Sequence, residues 1–416
     1  VGNAMSRGNA AVEYMLDQGM PYTSGPQWLA EHILQDRWVL AVAGTHGKTS
    51  TSALLAWILE HAGLNPGFLI GGVPENFGVS ARLGNAPFFV VEADEYDTAF
   101  FDKRSKFIHY HPRTLIMNNL EFDHADIFAD LEQIKASFRE FVRLIPAEGA
   151  LVACMDDPLA AEITTLCPGK VIGYGTGANC CWRLADFTAK GLCSTFAAHK
   201  DDSLFGEFSL QMPGKHNALN ALAVIALLEH VGLSVEEIQH GLATFEGVKR
   251  RQQIRGEING ITVIDDFAHH PTAVRETVSA LRLAWPNRRL LIVFEPRTNT
   301  SMRAVFQNVY PKCFDQADLI CIRRPPLLKK IEEDNPGLRG IDWDYKETKP
   351  QLQVVIDYDR AADLGVTVNN IGRTLETMLG SRKVTTYIDA GEEYDLIPEG
   401  DRDTQRTPAT LNNLYV

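Results

Sequence analysis

The sequence is poor in the features that mark nucleic-acid binders, membrane proteins and disulfide-framed domains. Basic residues are the scarcer charge: 40 Lys and Arg stand against 53 Asp and Glu, a net charge of −13. That balance excludes binding to nucleic acid through a broad basic surface. No run of about 18 apolar residues occurs, so no membrane span is expected. No charged-then-apolar leader is visible either. The seven cysteines are an odd number without C-x-x-C spacing, and Cys180 and Cys181 are adjacent. This usage excludes a disulfide frame or a cysteine zinc site and points to a reducing compartment. The chain opens at Val1 and its first methionine is Met5, so a missing start is expected.

What is present is apolar material in an α/β rhythm. Hydrophobic residues make up 45% of 416 residues, enough for sizeable cores in about two to four domains. From Trp38 to about Gly247, strands are expected at Phe88–Val91, Thr114–Met117, Ala150–Ala153 and Val171–Tyr174, and helices at Asp130–Leu144 and His216–His230. Such alternation predicts a mostly parallel sheet wrapped by helices. A second α/β rhythm begins near Arg250, with strands at Ile261–Ile264 and Leu290–Phe294, and breaks off near Lys330.

The stretch AVAGTHGKTS (residues 41–50) carries the first chemistry. The apolar run from Val39 to Ala43 suits a buried strand, and a helix is expected over Thr51–His61. Between them, Gly44 and Gly47 let backbone N–H groups approach an anion. Lys48 can reach terminal phosphates, and the Thr49 hydroxyl can face Mg²⁺. The strict phosphate-loop pattern wants glycine where Val42 stands. A Gly-rich turn carrying a solvated lysine is the bland alternative.

Further motifs fall at strand ends, where open parallel sheets bind ligands. FFVVEADEYD places Glu92, Asp94, Glu95 and Asp97 after an apolar strand, and Mg²⁺ prefers such hard oxygen ligands. LIMNNLEFDHADIF places Asn118, Asn119, Glu121, Asp123 and His124 likewise. MPGKHNALNALAVIALL opens a helix with His216, Asn217 and Asn220, which could equally be helix caps. GVKRRQQIRGEINGITVIDDFAHHPTAV supplies Arg250, Arg251, Asp265, Asp266, His269 and His270. Arginine can neutralise charge on a transferring phosphoryl group, and the carboxylate–histidine set suits handling of an amine proton.

Together, GTHGKTS, EADEYD, NNLEFDHADIF, GKHNALNA and VIDDFAHHPT resemble the Mur ligase family over roughly residues 1–325. The family's shorter Gly-Thr-x-Gly-Lys-Thr loop accounts for Val42. The resemblance implies an ATP-dependent amide ligase that joins UDP-N-acetylmuramate to the murein tripeptide L-alanyl-γ-D-glutamyl-meso-diaminopimelate through an acyl phosphate, in the cytoplasm. ATP and Mg²⁺ are the implied cofactors. The resemblance implies Lys48, Arg251, Asp266 and His269 as catalytic residues. It implies nucleotide binding by Gly44, Thr45, His46, Gly47, Lys48, Thr49, Ser50, His216, Asn217, Asn220 and Arg251. The implied metal ligands are Thr49, Glu92 and His124. A folylpolyglutamate-synthase-like ligase is a second reading, against which DDFAHHPT and NNLEFDHADIF speak.

The expected organisation is a UDP-binding remnant (1–37), a central ATP-binding domain (38–247), a shortened third domain (248–331) and a C-terminal α+β segment (332–416). The shortening predicts weak substrate binding and little turnover. Residues 332–416 hold 17 acidic against 9 basic residues and no cysteine. There DYDRAADLGVT followed by IGRTLETMLGS resembles a periplasmic porter segment of resistance–nodulation–division efflux pumps. The join therefore reads as a chimera, and a pump fragment is the non-enzyme alternative.

Overall fold

A computed structural model describes residues 1–85, 87–124, 127–128, 130–296, 301, 306–322, 385–389 and 392–396. The chain divides into two compact units, Val1–Ile331 and Glu332–Val416. In the first, helices α1 (Ala10–Asp17) and α2 (Gly25–Leu29), the latter running into a π-helical turn at Ala30–Leu34, precede strand β1 (Trp38–Ala43). Helix α3 (Lys48–His61), strands β2 (Gly67–Leu69), β3 (Ala81–Arg82) and β4 (Phe88–Glu92), and the small β5 (Asp97–Ala99) and β6 (Asp102–Ser105) pair follow. Next come β7 (Thr114–Met117), α4 (Leu131–Arg143), β8 (Ala150–Cys154), α5 (Pro158–Thr164) and β9 (Lys170–Gly175). An antiparallel meander, β10 (Trp182–Lys190), β11 (Cys193–Lys200) and β12 (Ser203–Leu210), leads to α6 (Lys215–His230) and α7 (Val235–Ala243).

These strands make one ten-stranded sheet in the order β12-β11-β10-β9-β8-β7-β1-β4-β2-β3. The run from β10 through β2 is parallel, and the edges are antiparallel. The apolar runs explain the architecture. In β1, Leu40 and Val42 face one core with α3, α6 and α7; Val39, Ala41 and Ala43 face another with α4 and α5. A strand buried on both faces needs no polar alternation, as befits a helix-covered parallel sheet. The meander departs from the parallel reading of this region. Its alternating pattern, with exposed residues from Asp186 to Lys190, suits an edge whose outer face meets water.

Beyond α7 lie the hairpin β13 (Gln253–Ile258) and β14 (Ile261–Asp265), helix α8 (Pro271–Ala284), β15 (Leu291–Phe294), α9 (Tyr310–Cys313) and β16 (Leu319–Ile322). Strand β13 was not expected, because Arg255, Gly256 and Glu257 interrupt its apolar pattern. Strands β15 and β16 pair in parallel, and α8 packs Val274 and Val278 with Phe294 and Phe314. In the second unit, β17 (Thr385–Asp389) and β18 (Glu392–Leu396) form an antiparallel hairpin. In the sequence, QLQVVIDYD alternates like a half-exposed strand and TVNNIGRTLETML reads as an amphipathic helix; both lie outside the described residues. Among the described residues, no helix is long and apolar enough to cross a membrane.

On α4, Phe138 and Phe141 are fully buried, and Phe141 stacks on Phe107 with ring centroids 4.3 Å apart. Phe141→Ala is expected to destabilise the first unit by about 3–5 kcal/mol, through lost burial and a residual cavity. Urea unfolding followed by tryptophan fluorescence measures this.

Candidate active site

The site forms where the carboxyl ends of β4, β1, β7 and β8 meet, with β1 flanked on its two sides by strands reached through different crossovers. Such a switch point opens a crevice in an open α/β sheet. The phosphate loop spans the gap between β1 and α3. Gly44 has φ +129°, and a Cβ there would meet the Asn119 backbone at 3.0 Å; Gly47 has φ +81°, and a Cβ would meet the Asn220 side chain at 2.9 Å. Both glycines are therefore required by conformation and by space. Helix α3 starts at Lys48, three residues earlier than expected, because Gly47 already serves as its N-cap. The loop is pinned by Thr45 N–H donating to the Asn119 carbonyl (3.0 Å) and His46 N–H donating to Asn119 Oδ1 (2.8 Å).

Lys48 enters the crevice and meets carboxylates. Its ammonium donates to Glu95 Oε2 at 2.6 Å and lies 3.8 Å from Asp94. Burial pulls the Lys48 pKa down, but the fields of Glu95 and Asp94 outweigh it and the pKa is raised. Glu95 is 2% exposed. Burial raises its pKa, yet Lys48 and His124 hold it down at about 2. The His124 ring stands 3.2 Å from Glu95; burial lowers its pKa, and Glu95 more than compensates, raising it. His124 also has φ +53°, an uncommon conformation for a non-glycine residue. The Thr49 hydroxyl donates to Glu92 Oε1 (2.9 Å) and accepts from the Arg251 guanidinium (3.1 Å).

A cavity of about 450 Å³ opens beside this cluster. Its wall includes His46, Gly47 and Ser50 of the loop, His216, Asn217 and Asn220 of α6, and Arg251 and Asp266. Asn217 donates to the Pro213 carbonyl and to Gln252. The buried His216 Nδ1 has no hydrogen-bond partner among the described residues, and burial lowers its pKa to about 4. Asp266 accepts from the Gln252 and Ala268 N–H groups; its burial raises its pKa. His269 stands apart from this wall: its Nδ1 contacts the Phe267 carbonyl at 2.9 Å.

Of the expected metal ligands, Thr49 and Glu92 touch directly, whereas His124 turns to Glu95. The donor atoms of Asp94, Glu95 and His124 converge within 4.8 Å, as do those of His46, Glu121 and His270. Glu95 is one of four acids in its motif, and the sequence does not single it out. Asp156 and Tyr174 line the cavity as well, outside the motifs, as does Gln252, which lies within one beside Arg251. Asp156 follows β8 as Glu95 follows β4, so its strand-end position was a usable signal.

Two Mur ligase family models match the chain. The model for the Mur ligase middle domain matches residues 42–228, and that for the Mur ligase, glutamate ligase domain, residues 250–362. The chain belongs to the Mur ligase family, whose members use ATP to form amide bonds in peptidoglycan metabolism. It is 47% identical over 339 residues to the UDP-N-acetylmuramate–L-alanyl-γ-D-glutamyl-meso-2,6-diaminoheptandioate ligase of Haemophilus influenzae, spanning 79% of this chain and 72% of that protein. A crystal structure of the corresponding ligase (MPL) from Neisseria meningitides matches at 50% identity and TM-score 0.57, covering 60% of this chain and 78% of that one. The murein peptide ligase of Psychrobacter arcticus matches at 39% identity and TM-score 0.63, covering 81% and 75%.

A model for the AcrB/AcrD/AcrF family matches residues 313–416. It overlaps the glutamate ligase domain match over residues 313–362, so the expected join near residue 332 falls inside a stretch that both models match. The expectation of a periplasmic character for this segment is not borne out: the match names a sequence family and carries no location.

The electrostatics give a pH signature for the metal-free protein. Glu95, held below its ordinary value of 4.5, contributes stability that is present above about pH 4.5 and lost as pH falls toward 2. His124, raised above 6.5, contributes in the opposite sense, with stability lost as pH rises through its raised value. Lys48→Met removes the ammonium, so Glu95 protonates at higher pH. The acid-unfolding midpoint, followed by circular dichroism, is expected to move upward; an unchanged midpoint refutes this account.

Proposed function

We propose that this chain activates the UDP-N-acetylmuramate carboxylate with ATP and joins it to the amine of L-alanyl-γ-D-glutamyl-meso-diaminopimelate. The carboxylate oxygen attacks the γ-phosphorus and ADP leaves, giving an acyl phosphate; the amine then attacks the acyl carbon, a proton is lost, and inorganic phosphate leaves. The observation that carries this reading is the buried Lys48 ammonium beside Thr49, with Arg251 reaching the same hydroxyl from the segment after α7. Lys48 exchanges Glu95 for the terminal phosphates, and Arg251 offsets charge on the transferring group. The cavity beside His216, Asn217 and Asn220 takes the rest of the nucleotide.

Thr49, Glu92 and His124 are the residues we assign to Mg²⁺, whose hard-oxygen preference suits the Thr49–Glu92 pair. When bound, the ion neutralises phosphate charge. Asp266 anchors the Gln252 backbone and so positions Arg251, while His269 receives the amine proton. We read the chain as residues 1–37, 38–247, 248–331 and 332–416, with the ligase chemistry in the second and third parts. Its two nucleotide-bearing substrates place the reaction in the cytoplasm.

ADP release by the purified chain with Mg²⁺ is expected to require both the nucleotide sugar and the tripeptide. EDTA should abolish it, and Lys48→Ala should lower kcat by at least about 10²–10³-fold. Release of ADP with neither substrate present would identify a simple ATPase instead.

A further inference from the structure

The cluster of His46, Glu121 and His270 takes no part in the reaction as drawn. It gathers three segments: the phosphate loop, the stretch after β7, and the residue capping α8. Glu121 Oε2 is 3.2 Å from His46 Nε2 and 3.4 Å from His270 Nδ1. It also accepts the Thr272 hydroxyl at 2.7 Å.

Two contacts determine which nitrogen of His270 carries the proton. Nε2 faces the Phe122 carbonyl at 3.2 Å, and a carbonyl can only accept, so Nε2 is the donor. Nδ1 faces the Thr272 N–H at 3.3 Å, and that group can only donate, so Nδ1 holds the lone pair. Nδ1 and the ionised Glu121 oxygen therefore face each other at 3.4 Å with no proton between them. A cation placed there would relieve that opposition. A histidine whose far nitrogen donates to a backbone carbonyl is also the usual state of a metal-bound imidazole, with ring orientation held from behind. The third donor, His46 Nε2, becomes available when its ring carries the proton on Nδ1. All three donor atoms already lie within 4.8 Å of one another.

We infer that His46, Glu121 and His270 form a binding site for a borderline divalent transition ion of the Zn²⁺ or Co²⁺ type, separate from the oxygen-rich Mg²⁺ position. Two imidazoles and one carboxylate are a ligand set for Zn²⁺ with one open position, and a poor set for Mg²⁺. Occupancy would tie the phosphate loop to α8. Because His46 lines the nucleotide cavity, the bound ion and the nucleotide would affect one another's affinity. The inference concerns metal binding by the resting protein and does not depend on the ligase reading.

Titration of the full chain with Co²⁺ in excess Mg²⁺, without nucleotide, tests it. One saturable equivalent with a visible ligand-field band is expected, displaced by Zn²⁺. His270→Ala and Glu121→Gln should each weaken Co²⁺ binding by at least about tenfold, while His124→Ala leaves it unchanged. Far-ultraviolet circular dichroism checks that the variants fold, and Glu121→Gln keeps the test valid if loss of the α8 cap unfolds His270→Ala. Absence of a saturable band, or a band lost in His124→Ala but kept in Glu121→Gln, overturns the assignment.

Discussion

The buried ion pair between Lys48 and Glu95 is the contact around which the site is arranged. Neither charge could be taken out of water alone without a cost of several kcal/mol. Here the ammonium and carboxylate meet at 2.6 Å, His124 supports the carboxylate from its other side, and Asp94 adds a more distant field. The pair joins the first residue of α3 to the turn after β4, and so sets the distance between the phosphate loop and the acidic turn. It also prepares a replacement: phosphate oxygens arriving at the loop compete with Glu95 for the same ammonium.

This arrangement is possible because the sheet around it is dry and covered on both faces. The phosphate loop can be short and glycine-lined because β1 is locked between β4 and β7 with its side chains buried on both sides. Asn118 and Asn119 then complete the wall from β7. The Tyr174 hydroxyl donates to Asn118 Oδ1 at 3.1 Å, tying β9 to the same point. Polar groups at these strand ends are buried and hydrogen-bonded, as interior polar groups must be.

A second constraint lies where the chain leaves the sheet domain. Arg250 and Gln252 both have positive φ, at +61° and +52°, flanking the arginine that reaches Thr49. Non-glycine residues hold such conformations only when their surroundings over-determine them. Here Asp266 accepts the Gln252 N–H, Asn217 donates to its side chain, and Val248 bridges to Pro74. The strained turn aims Arg251 at the phosphate loop, which couples the segment carrying α8 to the central sheet.

Much of this was legible in the chain. Unbroken apolar runs determined the parallel strands, because a strand buried on both faces needs no polar alternation. Gly44, Gly47 and Lys48 marked the phosphate loop, since close backbone approach and a long cation have few other uses there. The antiparallel meander, strand β13 and the early start of α3 were not legible. Each depends on pairing partners or on a backbone conformation that residue types do not specify. Which carboxylate would hold Lys48 was likewise undetermined, with Glu92, Asp94, Glu95 and Asp97 equal on paper. The sequence by itself determined which residues stand at strand ends, because burial dictates where the apolar runs stop. Only the tertiary structure decided which of those residues meet, because side chains far apart in the chain become neighbours only through strand order and the direction of each turn.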